Sequence, residues 1–320
     1  MSAETSTGDS YHVPVLLSET LDLLVVNRYG TYADFTLGGG GHTAALLARL
    51  APDARLLSFD ADPGAIEHAR QRFASESDGR LDVRQAYFTE ACGMMEREGV
   101  KLAGALLDLG VSSRQLDTDQ IGLSWRTDMR LDMRFRPDPE RQSAAEMLNT
   151  IDPGELATLL RRYGDEPAAW TVAQAILRAR PVSTTAQLRR TIEEVIPPPF
   201  QVKTLTRVFQ ALRIAVNGEM EELYRTLDVL TRSLLQPGGR IAVLTYHSLE
   251  DRLVKRFFRG DVIEETEGRR KKGRTEGRRH EVWPLVPVTR KPVEPSESEV
   301  ERNPRARSAR LRVAALEKEG

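Results

Sequence analysis

The sequence contains very little cysteine and little histidine: Cys92 is the single cysteine, and there are five histidines in 320 residues. One thiol excludes an internal disulfide framework and a cysteine-based zinc site, and low cysteine content is typical of a protein of the reducing cytosol. The histidines show no metal-ligand spacing, so we expect no protein-bound metal.

Long apolar runs are also missing. Runs such as residues 241–244 are far shorter than the roughly 18 residues that span a bilayer. Residues 1–10 contain neither a basic nor an apolar segment that would direct the chain to a membrane or out of the cell. We therefore expect a cytoplasmic protein without a membrane partner.

Positive and negative charges are nearly balanced, because the sequence contains 46 Lys and Arg and 47 Asp and Glu. This balance argues against a uniformly basic nucleic-acid binder. The distribution is uneven, however, since residues 251–312 hold 18 Lys and Arg against 11 Asp and Glu, most densely in residues 269–280. Segregated charge favours one face for a polyanion such as RNA, while a solvated loop is the alternative for the dense segment.

Four consecutive glycines, Gly38–Gly41, follow the β-branched and aromatic run 31–36 and precede the apolar-periodic stretch 42–50. This pattern predicts a strand, a tight turn and a helix, a place where a nucleotide-like ligand can approach the backbone. Asp60 ends the next predicted strand roughly 20 residues later, where this architecture places a carboxylate on ribose hydroxyls.

The residues that follow the turn narrow the ligand class. A dinucleotide site would need a third glycine, but Gly41 is followed by His42, and a P-loop would need a lysine that is not present. A ligand with adenosine and a carboxylate but no phosphate fits better, and S-adenosylmethionine is such a ligand. The alternatives are a turn without a ligand and a nicotinamide-dependent dehydrogenase.

Predicted strands and helices alternate up to about residue 115 and again after about residue 213. This alternation predicts a parallel sheet with helices on both faces. The region between contains several helical segments, one of them beginning near Thr204, and no convincing strand. Two late strands, at 282–289 and 311–315, would complete a seven-stranded sheet. We therefore expect a sheet domain formed by residues 1–115 and 214–320, with a helical insertion at 116–213.

Sites in open α/β sheets form beyond the carboxyl ends of the strands. Asp108 ends an apolar strand, where an unpaired buried charge would be costly, so we assign it to the cofactor amine or to an acceptor amine. Phe88 is a candidate for stacking on adenine, with ordinary core packing as the alternative. His247 follows another strand and is a candidate for orienting substrate, with a structural role as the alternative. The residues expected at this crevice are 38–42, Asp60, 87–88, 108–113 and 246–250.

Eight ordered motifs resemble the bacterial 16S ribosomal RNA cytosine-N4 methyltransferase family. They occupy residues 12–21, 34–42, 107–113, 131–134, 142–146, 209–213, 247–252 and 303–308. The resemblance implies a Rossmann-like, seven-stranded class I methyltransferase sheet with an inserted all-helical domain. It further implies an S-adenosyl-L-methionine-dependent enzyme that methylates the exocyclic N4 of a decoding-centre cytosine. The chain departs from the family at Met129-Arg130, where Gly-Pro is usual.

The resemblance also assigns site residues. The family's cofactor contacts fall on Gly40, Gly41, His42, Asp60, Phe88, Asp108 and Gln115. For the transfer step we predict Asp108 or a neighbouring backbone carbonyl as acceptor of the amine hydrogen bonds, with Ser112, Ser113 and His247 placing the nucleotide.

The implied partner is 16S rRNA within the small ribosomal subunit. Arginines of the insertion, at positions 126, 130, 134 and 136, and the basic late segment are expected to contact the RNA backbone. The target base must be unpaired or flipped. The sequence leaves the oligomeric state open, with a homodimer among the alternatives. A non-enzymatic RNA-binding assembly factor and a small-molecule methyltransferase are the remaining alternatives for function.

Overall fold

The computed structural model describes residues 14–76, 79–110, 121–261 and 283–317. The chain divides into two compact units, of which the first comprises residues up to Gly110 together with those from Tyr224 onward, and the second the residues between. The predicted site residues Ser112, Ser113 and Gln115 and the basic segment 269–280 lie outside the described residues. No helix in the described ranges is long and apolar enough to cross a membrane.

A seven-stranded sheet forms the centre of the first unit. Its strands are β1 (Thr31–Asp34), β2 (Arg55–Asp60), β3 (Leu81–Gln85), β4 (Leu102–Asp108), β5 (Leu235–Thr245), β6 (Leu285–Pro287) and β7 (Arg310–Leu316). Their spatial order is β3-β2-β1-β4-β5-β7-β6. The first five strands are parallel, while β7 runs antiparallel to both β5 and β6. The predicted seven-stranded α/β fold is confirmed.

The described α-helices are α1 (Leu17–Leu24), α2 (Gly41–Arg49), α3 (Pro63–Arg72), α4 (Phe88–Arg97), α5 (Ala144–Thr150), α6 (Pro153–Gly164), α7 (Ala169–Ala179), α8 (Thr185–Glu193), α9 (Pro198–Asn217), α10 (Glu219–Val229), α11 (Ser248–Phe258) and α12 (Glu297–Arg302).

In the sheet the strand order reverses between β1 and β4. At such a switch point the connections after the two strands leave in opposite directions and open a crevice. The residues after β1 and β4 therefore lie at this crevice.

Burial explains why the central strands read as apolar runs. Strand β4 is buried from Leu102 to Leu107 and becomes partly exposed only at Asp108. Tyr32, Phe35 and Phe59 are among the largest fully buried side chains of this unit. A parallel strand that is covered on both faces of the sheet has apolar side chains on both faces. A charged residue at its end, such as Asp108, can therefore be recognised in the sequence.

The second unit has a separate helical core, to which α5 to α9 contribute buried side chains such as Leu148, Leu160, Ile176, Leu188 and Leu212. Helix α9 begins at Pro198, six residues before the predicted start near Thr204. The expectation was wrong because proline is tolerated in the first turn of a helix, where its missing N–H has no intrahelical partner to lose.

The unusual dipeptide Met129-Arg130 is held against the start of α8. The Met129 N–H donates to Thr185 Oγ1 at 3.0 Å, and the Met129 carbonyl accepts from the Thr185 N–H at 2.9 Å. Arg130 forms an isolated antiparallel bridge with Thr184. Backbone pairing with α8 therefore defines the conformation of this segment.

One turn-like sequence lies inside a strand. Residues 236–239, Gln-Pro-Gly-Gly, have the composition of a turn but belong to β5, which begins at Leu235. The pairing register jumps from Leu102 with Leu235 to Gly104 with Arg240, so these four residues form an irregularity in the β4–β5 ladder. Strand pairing across the sheet therefore extends past a local turn signal.

Candidate active site

The carboxylate of Asp108, at the end of β4, lies between two side chains of other elements. Its Oδ1 accepts a hydrogen bond from the Tyr246 hydroxyl at 2.8 Å. Its Oδ2 lies 3.4 Å from Nδ1 of His42. The backbone N–H of Asp108 donates to Thr36 Oγ1 at 2.7 Å, which fixes the end of the strand. The structure thus brings together Asp108 and His42, as predicted, and adds Tyr246.

Tyr246 reaches Asp108 because β4 and β5 are adjacent and parallel. Asp108 pairs in register with Leu244, so Tyr246 follows two residues beyond that pair at the same edge of the sheet. The sequence placed Tyr246 among the strand-end residues but offered no reason to assign it a role. The missing information was the adjacency of two strands that are more than a hundred residues apart in the chain.

The environment makes both neighbours of Asp108 hydrogen-bond donors. Burial, followed by the negative charge of Asp108, raises the pKa of Tyr246 well above its usual value, so its phenol stays protonated. Burial alone would lower the pKa of His42, but the hydrogen bond and charge of Asp108, with the charge of Asp34, outweigh burial and raise it. Asp108 therefore stabilises the protonated imidazole relative to the neutral one.

The second nitrogen of His42 points to a missing partner. The imidazole is 6% exposed, and its Nε2 is buried with no hydrogen bond of good geometry among the described residues, although a contact with the Val15 backbone helps to raise its pKa. Buried polar atoms in proteins normally have a partner, and one without it at a strand-end crevice is a candidate ligand contact.

The fully buried carboxylate of Asp34 stabilises the segment that contains the glycine turn. Asp34 Oδ2 accepts from Thr43 Oγ1 at 2.7 Å, and its Oδ1 accepts from the Thr36 N–H at 3.0 Å. Burial raises the pKa of Asp34, while the Thr43 hydrogen bond lowers it. This network joins the end of β1 to the first turn of α2. The role of Asp34 cannot be predicted from the sequence, because its burial depends on the packing of α2 onto the sheet.

Asp60, at the end of β2, is tied to the turn through its carboxylate. The Gly38 N–H donates to Oδ2 at 2.8 Å, and the Asp62 N–H donates to Oδ1 at 2.9 Å. Asp62 in turn caps α3 by accepting from the Gly64 N–H at 2.7 Å. Burial raises the pKa of Asp60 to about 6, although the two amide hydrogen bonds lower it. Each oxygen keeps a lone pair for a further donor such as a ribose hydroxyl.

The glycines of the turn are required by the protein's own packing. Gly40 has φ +75°, and a Cβ there would lie 2.8 Å from the Phe73 ring. A Cβ on Gly41 would lie 2.3 Å from Cγ of Pro14. These contacts explain both glycines without a ligand, so their role in cofactor binding stays a prediction.

Phe88 is half-buried at the start of α4. Its ring meets the fully buried Phe35 edge to face, with centroids 6.2 Å apart and an interplanar angle of 89°. Core packing and a partly exposed ring are therefore both present, and the ring is available for stacking.

His247 serves the helix that follows it. It is the N-cap of α11, where its Nδ1 accepts from the Glu250 N–H at 3.4 Å. Its Nε2 lies 2.9 Å from Glu250 Oε1, and Glu250 Oε2 also accepts from the Tyr246 N–H at 2.9 Å. Within the described ranges His247 forms no hydrogen bond or ion pair with Asp108. Its predicted catalytic role stays a prediction.

The arginines predicted to contact RNA differ in availability. Arg134 makes a bidentate pair with Asp132, with Nε–Oδ1 at 2.6 Å and Nη2–Oδ2 at 2.9 Å. Arg126 is exposed, with its guanidinium 4.4 Å from the centre of the Trp125 ring, and Arg130 is also exposed. Arg134 therefore organises the helical unit, while Arg126 and Arg130 present charge at its surface.

The donor and acceptor groups of the first unit match an adenosyl amino acid. Asp60 offers acceptors for ribose hydroxyls, the first turn of α2 offers amide donors for a carboxylate, and His42 Nε2 has no hydrogen bond of good geometry among the described residues. All three surround the switch point of the sheet. The residues present therefore fit S-adenosylmethionine.

Known proteins resemble this chain over nearly its whole length. The sequence profile of the MraW methylase family matches residues 9–317. Ribosomal RNA small subunit methyltransferase H of Magnetococcus marinus is 43% identical over 309 residues, covering 95% of this chain and 97% of the relative. The protein of the same name from Prosthecochloris aestuarii is 44% identical over 324 residues, covering 95% and 94%. Among solved structures, a putative rRNA methylase from Clostridium thermocellum has 11% identity and a TM-score of 0.44, covering 97% of this chain and 99% of that one.

Proposed function

This chain belongs to the MraW methylase family, and we propose that it transfers a methyl group from S-adenosyl-L-methionine to the exocyclic N4 of a specific cytosine in the decoding centre of 16S rRNA. Membership confirms the resemblance that the eight motifs indicated and decides against a nicotinamide-dependent dehydrogenase. The name shared by the relatives supports the ribosomal substrate. The observation that carries the chemistry is the Asp108 carboxylate held between Tyr246 and His42 at the switch point.

S-Adenosylmethionine, when bound, would supply a methyl group on a positively charged sulfur: a nitrogen nucleophile attacks the methyl carbon, the carbon–sulfur bond breaks, and S-adenosylhomocysteine leaves as the neutral thioether. Asp60 would accept hydrogen bonds from the ribose hydroxyls, and Phe88 would stack on the adenine. Gly40, Gly41 and His42 would hold the amino-acid part at the start of α2. Gln115, predicted as a further contact, lies outside the described residues.

The nucleophile is weak, because the N4 lone pair of cytosine is delocalised into the ring. The protein must therefore hold the amine in line with the methyl group and accept its hydrogen bonds. Orientation of this kind can contribute up to roughly 7–11 kcal/mol in well-positioned reactions. Asp108 would accept an N4–H hydrogen bond and take up the proton that N4 releases as the N–C bond forms. Tyr246 and His42 hold the carboxylate in place for this task.

Substrate recognition would involve the helical unit. We assign the methyltransferase domain to residues 1–115 and 214–320 and the substrate-recognition insertion to 116–213. Exposed Arg126 and Arg130 carry charge suited to phosphate contacts, which position the RNA without reading its sequence. A cytosine within a helix is out of reach, so the target base must be unpaired or flipped. A cytoplasmic site of action is consistent with an rRNA substrate.

Mapping of methylated nucleotides tests the proposal. Small-subunit RNA from cells lacking the protein is incubated with the purified enzyme and S-adenosylmethionine, digested and analysed by mass spectrometry. We expect one N4-methylcytosine with the wild-type protein. Asp108→Asn, which keeps the side-chain shape, should lower the rate by about 100- to 10,000-fold, the usual contribution of a positioned proton acceptor.

The matched control is Asp53→Asn, which changes an exposed carboxylate in the loop before β2. It should leave the rate unchanged. A wild-type product methylated at another atom would refute the substrate assignment, and full activity in Asp108→Asn would refute the role of Asp108.

A further inference from the structure

The helical unit contains a cleft of about 380 Å³ that the proposed reaction does not use. One wall is the loop between α6 and α7, residues 166–168. The facing wall is α9, which contributes Phe200, Lys203 and Arg207. The volume lies within the range of roughly 300–1,000 Å³ that is usual for small-ligand sites. All of these residues belong to the second compact unit.

The side chains of α9 form one row along the cleft. Phe200, Lys203 and Arg207 are spaced by three and four residues, so they lie on the same face of the helix. Phe200 is 60% exposed, which is high for a large apolar side chain, and Lys203 is also exposed. The accessible aromatic ring of Phe200 therefore lies on the same helix face as the cationic side chains of Lys203 and Arg207.

The loop contributes a buried carboxyl group. Glu166 is 1% exposed, and its Oε1 accepts from the Ala168 N–H at 2.9 Å. Its Oε2 is buried with no hydrogen-bond donor in the part of the chain that the structure describes. Arg207 Nη1 lies 3.8 Å away, so the two side chains form an ion pair but no hydrogen bond. A buried carboxyl oxygen without a hydrogen-bond donor is costly, and its place in the wall of a cleft favours a ligand that supplies the donor.

We infer that this cleft binds an unpaired nucleotide of the RNA substrate whose base carries an exocyclic amino group. The base would stack on Phe200, since single-stranded bases commonly stack on aromatic side chains. The amino group would donate to Glu166 Oε2, and Lys203 would meet the phosphate. Arg207, with its side chain 41% exposed, would turn from Glu166 toward the phosphate and uncover the oxygen. The inference rests on the proposed function, which makes RNA the substrate.

Charge complementarity favours a nucleotide over a peptide. An acidic peptide would meet Lys203 and Arg207, but its side-chain carboxylates cannot donate to Glu166 and would be repelled by it. A basic peptide would satisfy Glu166 but would be repelled by the two cations. A nucleotide combines a planar face, an amino donor and an anionic phosphate in one ligand, which matches all three features of the cleft.

The stacking contact is tested by Phe200→Ala, with Val202→Ala as the matched control, because Val202 is a 57% exposed apolar residue of α9 that does not line the cleft. Affinity for a substrate RNA fragment is measured by fluorescence anisotropy at fixed salt, together with kcat and KM. We expect Phe200→Ala to weaken RNA binding and raise KM by about tenfold, with kcat and S-adenosylmethionine affinity unchanged. Val202→Ala should resemble the wild type.

The amino-group contact is tested with short oligoadenosine and oligouridine, neither of which contains the cytosine that the active site methylates. The wild type should bind oligoadenosine more tightly, because a carboxyl oxygen accepts from an amino group and repels the uracil carbonyls. Glu166→Gln introduces an amide that both donates and accepts, so the preference should disappear. The preference should also disappear in Phe200→Ala.

Wild-type RNA affinity in Phe200→Ala, or an adenosine preference that survives in Glu166→Gln, would overturn the inference. The inference would also be overturned if Phe200→Ala kept its affinity for RNA but lost binding to purified small-subunit proteins. The cleft would then bind a protein partner. Failure of the proposed function is distinguishable, since the wild type would then form no N4-methylcytosine.

Discussion

The Tyr246 hydroxyl donates a 2.8 Å hydrogen bond to Oδ1 of Asp108, and this bond joins the carboxyl ends of two neighbouring parallel strands. Asp108 is thereby oriented before any substrate arrives. A preset acceptor lowers the entropic cost of aligning a weak nucleophile, which is the main difficulty in methylating an exocyclic amine. The positions of Tyr246 and Asp108 are therefore a property of the sheet rather than of a mobile loop.

Tyr246→Phe removes this hydrogen bond and keeps the ring. Hydrogen bonds to charged groups contribute roughly 1.5–3 kcal/mol, so we expect kcat to fall by about tenfold or more. Single-turnover methylation of small-subunit RNA measures the effect. Tyr29→Phe, a change at a 70% exposed tyrosine, is the control and should behave as wild type. A wild-type rate in Tyr246→Phe would contradict the orienting role.

Cofactor binding should depend on the ionisation of Asp60. Burial raises the pKa of this carboxyl to about 6, so the carboxylate that accepts from ribose hydroxyls predominates above that pH. We expect the dissociation constant for S-adenosylmethionine, measured by isothermal titration, to rise as the pH falls through 6. Asp60→Asn should bind weakly and lack this component of the pH dependence. Equal pH profiles for the two proteins would show that Asp60 is not the titrating group.

Substitutions at two glycines should have opposite effects on stability. Gly41→Ala places a Cβ 2.3 Å from Cγ of Pro14, and relief of such an overlap should destabilise the protein by about 2 kcal/mol. Gly93→Ala, within α4, meets only the end of the Arg97 side chain at 3.4 Å and should stabilise the helix by up to about 1 kcal/mol. Urea unfolding of both variants measures the free energies. A Gly41→Ala protein as stable as wild type would show that Pro14 can move aside.

His247→Ser separates helix capping from catalysis. Serine is a good N-cap, so this variant should keep the thermal stability of the wild type, whereas His247→Ala should lose about 1 kcal/mol. Because Glu250 already engages the imidazole, we expect His247→Ser to retain methylation activity within several-fold. A loss of a hundredfold or more in a stable His247→Ser protein would instead establish the predicted catalytic role.

Local patterns predicted much of the candidate site. Asp60 and Asp108 could be identified because a charged residue that ends an apolar strand is visible in the sequence alone. The same patterns were misleading at two places. At the start of α9 the prolines suggest a break but stand at the beginning of a helix, and within β5 a turn-like sequence lies inside a paired strand. Propensity describes a few neighbouring residues, and tertiary packing overrides it where distant pairing contributes more free energy.

By itself the sequence determined the class of the protein: an alternation of strands and helices, a glycine turn without a third glycine, and ordered motifs along nearly the whole chain. Only the tertiary structure decided which groups act together. It set Tyr246 beside Asp108, buried Asp34 under the turn, paired His247 with Glu250 and enclosed Glu166 behind α9. The physical reason is that strand order and helix packing bring together residues far apart in the chain, and burial and hydrogen bonding arise only once those distances are closed.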